Sequence, residues 1–435
     1  MKSFAATTAA SFLMLALTGC SLMSQKPVSP QIAPGTVSRP VLSAAEAAAF
    51  TPAHYFARRG ALSAPIAEPW APQPIDTAAP ADFVVGKGGT HATVQQAVNA
   101  AIRSGKKERQ FIKVLPGTYT GAVYVPIDAP AISIIGGGRK PADVNLELKL
   151  DALVLPAEYV QTVNPSGQFK EGDPAWAMFR SCADLPAAKK IDTPCATVMW
   201  VQADGFQMAN LTVTNTLLDT VNADTHQAVA LRSDGDRAQF EKLRLIGRQD
   251  TFLVNVGEAP TIPNKNGTYP TDKIARAYVK DCYIEGDTDF VFGRANAVFD
   301  NCEFRVVASR RDKPAIVLAP DTLPNSSLGF LVINSRFTGD AVQQKAGHSF
   351  IGRSWDQGAG GTGYLIGKSP NGQLVVRDSY IDASFSVATP WDRAATTNRM
   401  HTGNVDPARN LDDPAFNRLW EFNNYGPGVS PAPAK

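Results

Sequence analysis

The sequence predicts an all-β protein, a right-handed single-stranded parallel β-helix with an N-terminal capping helix, and three observations lead there. A short pattern recurs beyond residue 200, in which an apolar pair leads to Asn, Asp or Lys, then to a small or apolar residue, then to one more alternation. The copies are Met208-Ala209-Asn210-Leu211-Thr212-Val213, Phe240-Glu241-Lys242-Leu243-Arg244-Leu245, Val279-Lys280-Asp281-Cys282-Tyr283-Ile284, Phe299-Asp300-Asn301-Cys302-Glu303-Phe304, Val332-Ile333-Asn334-Ser335-Arg336-Phe337 and Val376-Arg377-Asp378-Ser379-Tyr380-Ile381. Their spacing runs irregularly from 20 to 44 residues, as expected when loops of different length separate equivalent coils that bury their apolar faces on one another. Ahead of them, residues 92–103 carry Val94, Ala97, Val98, Ala101 and Ile102 at helical spacing, so one face of this expected cap is buried. A β-sandwich with fortuitous internal similarity is the competing all-β reading.

Before the repeats, ordered structure is expected to begin at Asp82-Phe83-Val84-Val85. The short β-type runs Phe111-Ile112-Lys113-Val114 and Ile132-Ser133-Ile134-Ile135 follow, separated by Pro-Gly and Gly-Gly-Gly turns. Within the repeats Cys282 and Cys302 hold the same position of successive coils. Neighbouring strands lie ~4.8 Å apart, inside the Cα range of a disulfide, so a bridge is expected there, with two stacked free thiols as the alternative. Cys182 and Cys195 flank a loop-like segment and are expected to close it.

The N-terminus reads as an export signal. Lys2 precedes an apolar run from Ala9 to Leu17, too short to span a bilayer, and the run ends in Leu17-Thr18-Gly19-Cys20. That ending resembles a bacterial lipobox, which implies an acylated Cys20, and Ser21 after it favours the outer membrane. The expected organisation is a signal over residues 1–19, an acylated Cys20 with a Pro/Ala-rich tether to residue 80, the β-helix over 81–425 and a flexible tail over 426–435. Aromatic residues of the tether could dock on the main domain. A formal net charge of +2 over 435 residues, with no basic cluster interleaved with aromatics, argues against a nucleic-acid partner.

Four segments place polar residues where a solenoid strand would otherwise be apolar. They are Gln227-Ala228-Val229-Ala230-Leu231, Gly247-Arg248-Gln249-Asp250-Thr251-Phe252, Asp287-Thr288-Asp289-Phe290-Val291-Phe292-Gly293 and Ile351-Gly352-Arg353-Ser354-Trp355. Asp250 and Asp289 follow the corner positions Lys242 and Asp281 at matching offsets, so they should stand one above the other. Two close carboxylates cannot both ionise cheaply; one becomes an acid and the other a nucleophile. Attack on an ester carbonyl would generate an oxyanion, for which the amides of Gln227 and Gln249 are the expected donors. Arg353 could hold Asp289 ionised through a bidentate contact, and Trp355 and Phe252 offer faces for a sugar ring.

These segments, in this order, resemble those of the pectin methylesterases (pectinesterases), and the resemblance runs from about Asp82 to Tyr425. It implies metal-independent and cofactor-free hydrolysis of galacturonate methyl esters in pectin or oligogalacturonides, by a protein expected to be monomeric. Asp289 resembles the nucleophile, Asp250 the general acid and then base, Gln227 and Gln249 the oxyanion donors, Arg353 the residue orienting the nucleophile and Trp355 a substrate-groove aromatic. The spacing of Cys282 and Cys302 around Asp289 also looks like that of bacterial members. Ser354 and Phe252 depart mildly from the family pattern, where Pro and Leu are frequent. Insertions at Tyr159–Pro194 and Val256–Asp272 are expected to form loops around the groove. A related lipoprotein branch, described as acyl-CoA thioesterase-like, lacks equivalents of the two aspartates, whereas this chain keeps them. A non-catalytic pectin-binding lipoprotein is a further alternative.

Other chemistries find less support. No Gly-x-Ser-x-Gly occurs, Gly136-Gly137-Gly138-Arg139 lacks the Lys-Ser/Thr of a phosphate loop, and no acidic calcium cluster appears. His54, His91, His226, His348 and His401 show no metal-ligand spacing. His226 adjoins Gln227 and could line the groove.

Overall fold

A computed structural model describes Met1 and residues 33–57, 69–256, 275–324 and 326–429. Cys20, the expected signal beyond Met1, nearly all of the second insertion and the last residues of the tail lie outside the described residues. Three parallel sheets of ten, eight and seven strands make up the body, each with its strands in ascending chain order. One coil therefore contributes one strand to each sheet. The coil Gln207–Ala209, Thr212–Asn215 and Val229–Ser233 is followed by Ala238–Glu241, Arg244–Ile246 and Phe252–Val254, and then by Arg276–Lys280, Tyr283–Gly286 and Val291–Gly293. This is a parallel β-helix.

The recurring polar residue marks the corner between the first and second sheets. Asn210, Lys242, Asp281, Asn301, Asn334 and Asp378 all adopt left-handed backbone conformations, with φ between 51° and 58°. Asn and Asp enter that region more readily than other residues bearing a side chain. Their side chains also join coils: the Asn301 amide donates to Asp281 Oδ1 at 2.6 Å, and the Asn334 amide to Asp300 Oδ1 at 3.0 Å. The residue after each corner turns inward, stacking Leu211, Leu243, Cys282, Cys302, Ser335 and Ser379 in a buried column. An aromatic chain fills much of the remaining interior, including Phe240, Phe252, Phe299 and Phe304 at centroid separations of 5.6–6.4 Å.

Cys282 and Cys302 occupy the expected stacked positions, but both are free buried thiols. In-register parallel neighbours hold their Cβ atoms near the ~4.8 Å strand spacing, whereas a disulfide draws them to ~3.8 Å. Each thiol donates instead to a carbonyl, Cys282 to Lys280 at 3.2 Å and Cys302 to Val279 at 3.4 Å. The Cys182–Cys195 bridge is present, with a Cα separation of 5.8 Å.

The first insertion is not open loop. It forms helices Pro156–Val163 and Trp176–Ala183, whose Tyr159 and Phe179 rings stack at 5.7 Å while Phe169 bridges Phe179 to Tyr124 on the solenoid. The stretch assigned to a tether is also more than a tether. Leu42, Phe50, Tyr55 and Phe56 are at most 2% exposed and cover Val298, Leu331, Val375 and Trp420 on the outer face of the first sheet. Alternation explains the docking surface, since Ala297 and Phe299 on either side of Val298 face the solenoid interior. No helix among the described residues is long and apolar enough to cross a membrane.

Candidate active site

The site lies on the outer side of the third sheet, where three coils leave the second sheet. Asp250 and Asp289 are the corner residues there, with φ of 69° and 47°. Gln227 pairs with Gln249, and Gln249 with Thr288, in isolated parallel bridges just before the strands begin. With Gln249 opposite Thr288, Asp250 falls opposite Asp289, so the two residues stand about one strand spacing apart, ~4.8 Å along the stack. Both are nearly buried, at 4% and 9% exposure.

Their partners differ. Asp289 receives Arg353 Nε at 2.8 Å on one oxygen and Arg353 Nη2 at 2.6 Å on the other, a bidentate ion pair. Asp250 receives a single neutral donor, Gln227 Nε2, at 2.9 Å on Oδ2. Burial first, and the Asp289 charge second, push the Asp250 carboxyl well above the usual carboxylate range against the opposing effects of Gln227 and Arg353. Burial on its own would lower the Arg353 pKa, but Asp289, then Asp392 and Asp250, raise it above its ordinary value. The site thus sets an Asp250 carboxyl biased toward its protonated form beside a guanidinium-paired Asp289.

Gln227, Gln249, Asp250, Asp289, Arg353 and Trp355, all read from the sequence, line one cavity of about 200 Å³. Phe252 does not. It is fully buried in the interior between Phe240 and Phe299, and Phe292 lines the cavity in its place, 5.5 Å from the Trp355 ring. The left-handed turn at Asp250 resets the strand alternation, so Phe252 points inward with its register partner Val291, and the next residue along, Leu253, faces outward with Phe292.

Arg311 was missed by sequence reasoning. Its Nη1 donates to Gln249 Oε1 at 2.9 Å and to Thr288 Oγ1 at 3.2 Å. Occupying the oxygen end of that amide leaves the NH₂ end for the cavity. Arg311 comes from the loop between the strands Glu303–Val306 and Ile316–Pro320, outside every repeat, so no periodic signal marked it. His226 stands at the edge of the site rather than in it, between Asp151 and Asn222. Among the described residues, no group of three or more His, Cys, Asp or Glu side chains is arranged to hold a metal ion.

Comparison with known proteins places this geometry. The family model described as Pectinesterase matches residues 182–258 and 265–359. Pectinesterase B of Dickeya dadantii (strain 3937) is 52% identical over 433 residues, covering 97% of this chain and 98% of that protein. The structure of rice weevil pectin methyl esterase superposes with a TM-score of 0.80 at 37% identity, covering 91% of this chain and 99% of that one. YbhC of Escherichia coli (strain K12), a candidate acyl-CoA thioester hydrolase, is 45% identical over 427 residues, 95% of this chain and 94% of that protein. These matches define a carboxylic ester hydrolase built on a parallel β-helix. The chain belongs to the pectinesterase family.

Proposed function

We propose that this enzyme removes methyl groups from methyl-esterified galacturonate in pectin or oligogalacturonides, with Asp289 as nucleophile and Asp250 as general acid and then base. The observation that carries the reading is the unequal pairing of two stacked carboxyl groups, one clamped by Arg353 and one met only by the Gln227 amide, whose pKa burial pushes upward. Asp289 attacks the C6 carbonyl, and the oxyanion is met by the second N–H of Gln227 and the NH₂ group of Gln249. Collapse breaks the C–O bond, Asp250 gives its proton to the departing methoxide, and methanol leaves an acyl-Asp289 anhydride. The Asp250 carboxylate then takes a proton from water as it attacks the acyl carbon, which releases Asp289 as its carboxylate and the product as a galacturonic acid that gives its proton to solvent, restoring both aspartates. Phe292 and Trp355 supply the apolar wall for the ring.

In this reading the coil is right-handed, and helix Val94–Arg103 caps its N-terminal end, because the helix packs on the strands Phe83–Val85, Gln110–Val114 and Val123–Val125. Methanol release from methylated oligogalacturonides of graded length, set beside hydrolysis of acyl-CoA, tests the activity. The likeness to YbhC supports a thioester hydrolase as the second reading. Thioester turnover without methanol would overturn the pectin assignment in its favour.

The reading also includes an outer-membrane enzyme tethered through acylated Cys20, supported by the Leu17-Thr18-Gly19-Cys20 sequence. Cys20→Ser is then expected to move the protein from the membrane fraction to the soluble fraction of cells. Unchanged fractionation of the variant would remove the anchor.

A further inference from the structure

We propose that His226 is a positioning residue for Gln227, locking the peptide that carries this oxyanion donor; the inference rests on the proposed role of Gln227. His226 Nδ1 lies 2.6 Å from Asp151 Oδ2, and His226 Nε2 lies 2.7 Å from Asn222 Oδ1. Both partners are acceptors. Asn222 Oδ1 already accepts the Asp224 backbone N–H at 3.1 Å, which fixes that atom as the amide oxygen, and Asp151 is a carboxylate whose other oxygen accepts the Leu153 N–H at 3.0 Å. The ring is thus fixed at both nitrogens, between the Asp151 carboxylate and the Asn222 amide oxygen.

The pair matters because of where Gln227 sits. Gln227 precedes the strand Val229–Ser233, and its ladder contact to Gln249 is an isolated bridge rather than part of a strand. On its other side the Ala152 N–H donates to the Gln227 carbonyl at 3.0 Å. The turn Asp151-Ala152 thus grips His226-Gln227 twice, once through the imidazole and once through the backbone. Arg310 Nη2 adds a contact to the His226 carbonyl at 3.4 Å. Releasing the imidazole frees the end of the exposed segment 222–225 and lets the Gln227 side chain drift from its 2.9 Å contact with Asp250. An oxyanion donor displaced by an ångström loses transition-state binding while ground-state binding is spared.

The test is a double-mutant cycle on methanol release. His226→Ala and Asp151→Asn should each lower kcat about 10-fold with KM nearly unchanged, part of the loss of ~10² to 10³ that follows removal of one oxyanion donor. His226→Gln, whose amide N–H still reaches toward Asp151, should recover most of the rate. In a Gln227→Ala background, His226→Ala should cost nothing further, because the residue it positions is gone. Additive losses, a change confined to KM, or full activity of His226→Ala would overturn the inference while leaving the oxyanion role of Gln227 in place. A Gln227→Ala enzyme with normal kcat would instead overturn that role, and the inference with it. Circular dichroism and Tm of each variant separate a poorly folded protein from a slow one, and Asp151→Asn, alone and in the Gln227→Ala background, carries the test if His226→Ala does not fold.

Discussion

Asp289→Asn is expected to abolish methanol release, with kcat falling on the order of 10⁴-fold or more while substrate is still bound. Loss of a nucleophile removes the covalent route altogether, and only the orientation supplied by the rest of the site remains. The amide fills the same volume and can still accept from one nitrogen of Arg353, so the cavity of about 200 Å³ keeps its shape. The two-oxygen clamp is lost, since an amide offers a single acceptor where Asp289 offers two. Asp250 also loses the charge that is the second contributor to its raised pKa, although burial, the largest contributor, stays. The variant should therefore fold and bind methylated oligogalacturonides without turnover, as measured by calorimetry beside methanol release. Residual turnover within about tenfold of the parent enzyme would remove Asp289 from the nucleophile's role. A non-catalytic pectin-binding protein would show the same binding before and after the substitution, with no methanol from either form.

Much of this site was legible because solenoid geometry turns sequence offsets into spatial neighbours. The corner positions betrayed themselves chemically: a left-handed turn admits Asn and Asp with little strain, so Asn210, Asp281, Asn301, Asn334 and Asp378 stood out against apolar surroundings. Eight residues on from Lys242 and from Asp281 the same geometry recurs at Asp250 and Asp289, which is why their stacking could be read directly. Phe252 was misplaced because an aromatic beside Asp250 in the motif was read as facing the groove, whereas the left-handed turn at Asp250 sends it inward. Stacking likewise placed Cys282 and Cys302 correctly, but the parallel direction of their side chains, which keeps them apart as thiols, is not visible in spacing. Arg311 and the Asp151–His226 pair were out of reach for another reason. They come from loops whose contacts depend on how irregular chain returns to the groove, and no period encodes that return. The strap over residues 33–57 was legible only in part: its aromatic residues pointed to docking, while its Pro and Ala content read as a tether.

Asp250→Asn separates what the site costs from what it does. Turnover is expected to fall by at least about 10²-fold, because the leaving methoxide loses its proton donor and the anhydride loses its base. Stability should move the other way. A carboxyl whose folded pKa lies above its unfolded value binds more protons folded than unfolded, so the native state is unpenalised below the unfolded pKa, near 4, and loses stability as pH rises from there through the raised folded pKa. An amide at the same position still accepts from Gln227 but carries no charge to desolvate and no repulsion with Asp289. The Tm of Asp250→Asn should match the parent at acid pH and exceed it increasingly toward neutrality. The parent's kcat/KM should decline at high pH as Asp250 ionises in the free enzyme. A Tm difference that is flat between pH 4 and pH 8, or an activity profile with no alkaline limb, would mean that Asp250 is not held protonated. The acid would then have to come from another group at the cavity, and the division of labour between the two aspartates would fall with it.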